Sequence, residues 1–215
     1  MRKLFIPVKA NAEIRSLAEA ALPHLPKKLG LLATAQHLHQ LDAAKEIIER
    51  AGKTALIGGQ ITGCNLTAAI GLADSVDAFV LLCSGSFHAL GVLAAAKKPV
   101  VVLDLAEHKI ERLGGAELAA LSGRRRAALA SFYHATDIGV LICTKPGQGF
   151  ELARAFELER RYPDKRFYYL LCDDVRPEQL ENFSFVQCWL NTACPRIAHD
   201  DGVRLARPVV NMEDI

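Results

Sequence analysis

Continuous apolar runs of strand length constrain this chain most. Residues 78–83, 100–103 and 138–143 contain no charged or hydrogen-bonding polar side chain except a terminal cysteine in two of them. A strand with one wet face alternates apolar and polar residues. Unbroken runs instead predict strands buried on both faces, as in parallel sheets covered by helices on both sides. Helical periods lie between the runs. Residues 13–22 predict a helix with Ile14, Leu17, Ala18 and Ala21 on one face, ended by Pro23 and Pro26. Residues 41–51 predict a second, ended by Gly52. Further helices are expected over 90–96, 116–133 and 151–161. Further strands are expected over 4–8, 29–33, 55–57, 167–172 and 185–190. Glycine-rich Gly58-Gly59-Gln60 and the segment Ser84-Gly85-Ser86-Phe87-His88 read as loops. The fold class is therefore α/β, with two open parallel-sheet domains over residues 1–110 and 111–215.

The bulk properties exclude several function classes. At 215 residues the chain can bury a sizeable core, and 51% hydrophobic against 23% charged residues marks a globular protein. A net charge of +2 is too small to imply a nucleic-acid surface. Arg124-Arg125-Arg126 reads as a solvated helix face. No apolar stretch approaches the ~20 residues of a membrane span. Residues 1–10 lack a continuous apolar core and a cleavage site, so they do not read as a signal peptide. A cytoplasmic location is expected, where six cysteines stay reduced.

The cysteines carry the chemistry. Cys83, Cys143 and Cys172 close predicted strands, Cys64 lies in a loop after another, and Cys194 lies in Asn191-Thr192-Ala193-Cys194-Pro195-Arg196. Proline has no amide donor and stops a strand, which places Cys194 at a strand exit. Those exits form the ligand-binding crevice of an open α/β sheet. Free cysteine is also among the most buried residue types, and Cys188 beside Trp189 reads as core. There is no Cys-x-x-Cys pair for a zinc ribbon, and His37 and His39 point to different helix faces. No Gly-x-Ser-x-Gly nucleophile elbow occurs, and Thr144-Lys145-Pro146-Gly147-Gln148-Gly149 lacks the P-loop spacing. Its amides still stand where a helix N-terminus cradles a carboxylate.

Taken in order, several stretches resemble the diphthamide synthase family. They are Leu31-Leu32-Ala33-Thr34-Ala35-Gln36-His37-Leu38, Gly59-Gln60-Ile61-Thr62-Gly63-Cys64-Asn65, and Ser84-Gly85-Ser86-Phe87-His88-Ala89-Leu90. Thr144-Lys145-Pro146-Gly147-Gln148, the Cys194 segment and Arg207-Pro208 follow. The resemblance implies a 3-amino-3-carboxypropyl transferase that uses a 4Fe–4S cluster and S-adenosylmethionine. Its acceptor is a histidine of translation elongation factor 2. The family has three repeated α/β domains, each giving one cysteine to the cluster, and this chain resembles domains two and three. The resemblance implies Cys64 and Cys194 as cluster ligands, with Cys83 or Cys143, or a partner chain, as the source of the third. It also implies an S-adenosylmethionine pocket lined by Ser84, Gly85, His88, Thr144, Lys145, Gly147 and Gln148. Lys145 and Arg196 suit the methionyl carboxylate, and Gln36 a further hydrogen bond. No catalytic acid or base is assigned. A homodimer or a heterodimer with a paralogue is expected. Transfer to another substrate, or a scaffold or electron-transfer role beside a full-length paralogue, are the alternatives.

Overall fold

The computed structural model describes residues 4, 6, 8–85, 87–143, 145, 152–199, 202 and 205–215; the side chains of 152–155 and 199 lie outside that description. The chain forms two compact units, Met1–Ala120 and Leu121–Ile215.

The first unit runs α1 (Arg15–Ala21), β1 (Lys28–Ala33), α2 (Leu41–Arg50), β2 (Thr54–Gln60), α3 (Thr67–Leu72), β3 (Ala78–Cys83), α4 (Phe87–Ala96), β4 (Val100–Asp104) and β5 (Lys109–Leu113), and ends in the first turns of α5 (Gly115–His134). Its sheet has the order β2-β1-β3-β4-β5. β1 to β4 are parallel and β5 is antiparallel to β4. β3 and β4 are buried at every position. The reason is two cores, one on each face. Leu31, Val80, Leu82, Val101 and Leu103 pack with Leu17, Ala44 and Ile48 of α1 and α2. Leu32, Phe79, Leu81 and Val102 pack with Ala69, Val92 and Leu93 of α3 and α4. Alternate residues of one strand thus enter different cores, and the polar half of the period disappears.

The second unit takes up the rest of α5, then β6 (Asp137–Cys143), α6 (Leu152–Arg161), β7 (Arg166–Cys172), α7 (Pro177–Leu180), β8 (Cys188–Asn191), α8 (Arg196–His199) and β9 (Val209–Asn211). Its four strands are all parallel, in the order β7-β6-β8-β9. Phe132, Ile138, Val140, Ile142, Leu158 and Leu190 form one core; Leu141, Leu180, Val186, Trp189 and Val209 form the other. Gly139 is required by close approach. A Cβ there would lie 2.1 Å from Cζ3 of Trp189, the largest fully buried side chain. Lys165 is buried because its ammonium donates to the carbonyls of Tyr133 and Ala135, closing the end of α5.

Several expectations are corrected. The described residues of the 4–8 segment, Leu4, Ile6 and Val8, form no strand and are 84%, 73% and 66% exposed. Among the described residues no strand pairs with them, and beyond them the Ala10 amide donates to the Gln36 carbonyl. Gly58-Gly59-Gln60 is not a loop but the end of β2. The register slips there, with Leu31 opposite Ile57 and Leu32 opposite Gly59, which is a bulge. Phe87 and His88 are not loop residues; they open α4. The last run begins at Cys188 rather than at residue 185, and Phe185 is 49% exposed. Pro195 does not end β8, which stops at Asn191; it stands immediately before α8.

Candidate functional site

Each unit has a point where the strand order reverses. In the first, β2 and β3 flank β1; in the second, β7 and β8 flank β6. Loops leave such neighbouring strand ends in opposite directions and open a crevice at the carboxyl edge. The described candidate residues follow strand ends of these two sheets.

Cys64 lies in the loop after β2, and its side chain is exposed. A closed turn holds it. The Thr62 amide donates to the Asn65 carbonyl at 3.1 Å, and the Asn65 amide donates to Thr62 Oγ1 at 3.1 Å. Asn65 Oδ1 accepts from the Thr67 amide at the start of α3. Gly63 sits under the Phe87 ring, where a Cβ would come within 2.5 Å of Cε1. Thr62 Oγ1 is 3.6 Å from Cys64 Sγ.

At the ends of β3 and β4, Asp104 is the organising group. One carboxylate oxygen accepts from the Gly85 amide at 2.7 Å; the other accepts from Ala106 and Glu107 at 3.0 and 3.1 Å. Burial pushes its carboxyl up, but the amides of Glu107, Gly85 and Ala106 outweigh that and hold it below the ordinary 3.8. Gly85 has φ +77°, a conformation that glycine adopts freely. Ser84 and Gly85 are exposed. Cys83 is fully buried, and its thiol donates to the Gly85 carbonyl. Burial, with the charges of Asp104 and Glu111, pushes that thiol up to about 12. Gln36 is exposed at the exit of β1. His37 beside it is buried, which pushes its pKa down, and its ring meets Gln40. His88 packs edge-on to Phe87 with ring centroids 5.0 Å apart.

Asp104→Asn is expected to destabilise the first unit by about 2 kcal/mol, because one amide oxygen replaces two carboxylate acceptors and an NH2 faces backbone donors. Because the folded-state pKa is depressed, the stabilisation is full above the ordinary aspartate value and is lost as pH falls through the lower folded value. Urea unfolding at pH 7 and below pH 4 checks both, and the variant should lack this part of the acid sensitivity.

In the second unit, Cys194 is half-buried, three residues beyond β8. Asn191 and Asn211 are register partners on β8 and β9 and are each 1% exposed. Asn191 Nδ2 donates to the Cys194 carbonyl at 2.9 Å and to Asn211 Oδ1 at 2.7 Å, while Asn191 Oδ1 accepts from the Ala193 amide at 3.1 Å. Asn211 Nδ2 donates to the Pro195 carbonyl at 3.3 Å. The Cys194 carbonyl also accepts from the Ile197 amide. Arg196 is exposed on α8. Lys145 is ion-paired with Asp174, and this hydrogen bond holds its ammonium above the usual lysine range. Cys143 is buried and bonds the Asp173 carbonyl; Cys172, its register partner on β7, bonds the Ile142 carbonyl, and burial raises its pKa. Thr144, Gly147 and Gln148 lie outside the described residues.

Of six cysteines, only Cys64 and Cys194 stand in loops; the other four are strand residues. A thiolate on a strand-exit loop is the ligand type that an iron–sulfur group takes, and each unit presents one such cysteine. Among the described residues, no group of three or more His, Cys, Asp or Glu side chains is placed to hold a metal ion alone. No described helix is long and apolar enough to cross a membrane. Asp104, Asn191, Asn211, Thr62 and Phe87 were not singled out from sequence as site-building side chains. The one available signal was a polar residue closing an apolar run, as in Val100-Val101-Val102-Leu103-Asp104 and Cys188-Trp189-Leu190-Asn191.

The family model described as "Putative diphthamide synthesis protein" matches residues 1–215. The chain belongs to this family. A relative from Pyrococcus horikoshii, 2-(3-amino-3-carboxypropyl)histidine synthase, is 28% identical over 226 aligned positions, covering 99% of this chain and 64% of the relative. The synthase subunit 1 of Gallus gallus is 27% identical, over 85% of this chain and 46% of its own length. The chain spans less than two thirds of the length of these relatives. The crystal structure of Dph2 from Pyrococcus horikoshii with a 4Fe–4S cluster superposes with a TM-score of 0.80 at 26% identity, covering 96% of this chain and 62% of that one. Two open, mostly parallel α/β sheets are thus the family's architecture in this chain.

Proposed function

We propose that this chain is a subunit of a 3-amino-3-carboxypropyl transferase, and that Cys64 and Cys194 are thiolate ligands of a 4Fe–4S cluster completed by a partner chain. One observation carries the reading: these two are the cysteines set on loops at strand exits, each in a turn built around it. The remaining thiolate is assigned to the partner. Cys83 and Cys143 are packed into cores, and the Cys83 thiol would have to ionise against burial and Asp104. The relatives named as subunit 1 favour work as part of an assembly. On this reading the two units correspond to the family's second and third domains, in a cytoplasmic dimer with a second copy or a paralogue.

When bound, a reduced cluster supplies the electron that cleaves the bond between sulfur and the aminocarboxypropyl carbon of S-adenosylmethionine. The chain's own residues bind and orient. Arg196 and Lys145 are the cations assigned to the S-adenosylmethionine carboxylate; Lys145 is ion-paired with Asp174. Ser84, Gly85 and Gln36 present exposed groups at the first unit's strand exits, with His88 nearby on α4. Thr144, Gly147 and Gln148, which lie outside the described residues, are the others that the family resemblance assigns to S-adenosylmethionine. The acceptor is a histidine, by extension from the relatives' names, and translation elongation factor 2 is the first protein to offer. Another acceptor protein is the second reading.

The test is dithionite reduction of the reconstituted chain with S-adenosylmethionine, alone with a small thiol, and with a full-length family chain whose cysteines matching Cys64 and Cys194 are substituted, so that it holds no cluster of its own but keeps the thiolate this chain needs. The expected result is methylthioadenosine, with labelled carbon on the acceptor histidine when elongation factor 2 is present. No methylthioadenosine in either mixture contradicts the reading. Methylthioadenosine with an unlabelled elongation factor moves it to another acceptor.

A further inference from the structure

We propose that Thr62 is a positioning residue for Cys64, its hydroxyl donating to the Cys64 sulfur and raising the reduction potential of a cluster bound there. The inference rests on the proposed role of Cys64 as a ligand. Its geometry stands on two contacts. Thr62 Oγ1 is 3.6 Å from Cys64 Sγ, within reach of a hydrogen bond to sulfur. That oxygen already accepts the Asn65 amide at 3.1 Å, so its own proton is left to give elsewhere. A ligating cysteine has lost its proton, so the hydroxyl must be the donor and the sulfur the acceptor.

The turn also fixes where the hydroxyl points. The Thr62 amide is held by the Asn65 carbonyl, and the Phe87 ring closes the side of Gly63. The β2 bulge at Gly58 and Gly59 aims the chain into this turn. The donor is therefore preset before any ligand arrives. Hydrogen bonds to cysteine sulfur are among the levers that set iron–sulfur potentials. Reduction adds an electron whose density is shared with the ligating sulfurs, so a donor stabilises the reduced form more than the oxidised form. Removing it moves the midpoint to a more negative value.

The experiment is a redox titration, followed by spin resonance, of wild type, Thr62→Val and Thr62→Ser after anaerobic reconstitution to equal iron content, with a small thiol present to fill the ligand position that a partner would occupy. Valine keeps the shape and loses the hydroxyl; serine keeps the hydroxyl and loses a methyl group. The expected result is a more negative midpoint for Thr62→Val and a wild-type midpoint for Thr62→Ser. An unchanged Thr62→Val midpoint overturns the inference while leaving Cys64 as a ligand. A Thr62→Ser midpoint displaced as far as that of Thr62→Val also overturns it, since packing rather than the hydroxyl would then set the potential. A wild type that takes up no cluster overturns the proposed function, and this inference with it.

Discussion

Asn191→Ala is expected to lower the stability of the unit Leu121–Ile215 by about 3 kcal/mol, because three hydrogen bonds, each worth about 1 kcal/mol net, are lost together. The groups left behind are the Cys194 carbonyl, Asn211 Oδ1 and the Ala193 amide. They stand in or beside a site that is 1% exposed at Asn191, so water replaces the lost partner poorly. The functional consequence is larger than the stability loss. The same side chain fixes the loop that carries Cys194, and without it the Ile197 amide is the one remaining donor to the Cys194 carbonyl among the described residues. Asn211→Ala should cost less, since it removes the Asn191 contact and the long bond to Pro195 but leaves Asn191 on Cys194. Urea unfolding gives the two stabilities. Proteolysis across residues 192–199 reads the loop, and faster cleavage in Asn191→Ala than in Asn211→Ala is the expected order.

The larger effect belongs to the cysteines themselves. Cys64→Ala and Cys194→Ala should each reduce bound iron to background, since each deletes one of the two thiolates that this chain contributes. Neither should unfold the protein, because one side chain is exposed and the other half-buried. Cys83→Ser is the control. Its hydroxyl can still donate to the Gly85 carbonyl, as the thiol does, so iron binding should persist even though stability falls.

The sheets were legible because parallel strands covered on both faces leave unbroken apolar runs, and 78–83 proved to be β3 residue for residue. β5 was not legible. Lys109-Ile110-Glu111-Arg112-Leu113 is an edge strand with a wet face, and its charges interrupt the apolar run that marked the other strands. β9 is three residues long and is made a strand by its pairing with β8. The expected 4–8 strand failed for the converse reason: an apolar pattern does not make a strand by itself, and its described residues, Leu4, Ile6 and Val8, pair with no described strand and are exposed. At the site, sequence marked the chemistry-bearing residues but not the side chains that hold them. The Asn191–Asn211 pair joins positions 20 apart through strand register. Asp104 reaches Gly85 across 19 positions because β3 and β4 are neighbours. Such contacts have no local periodicity to read. Phe87 was placed in a loop because α4 starts three residues before its apolar stretch from Leu90; its role as the wall over Gly63 follows from the helix it opens.

The most direct test of the central claim is the iron and acid-labile sulfide content of the chain after anaerobic reconstitution in the presence of a small thiol, which fills ligand positions that a partner would occupy. Wild type, Cys64→Ala, Cys194→Ala and Cys83→Ser are compared side by side. The account predicts a reducible 4Fe–4S signal in wild type and Cys83→Ser, and its loss in both Cys64→Ala and Cys194→Ala. Iron content unchanged by the Cys64 and Cys194 substitutions contradicts it.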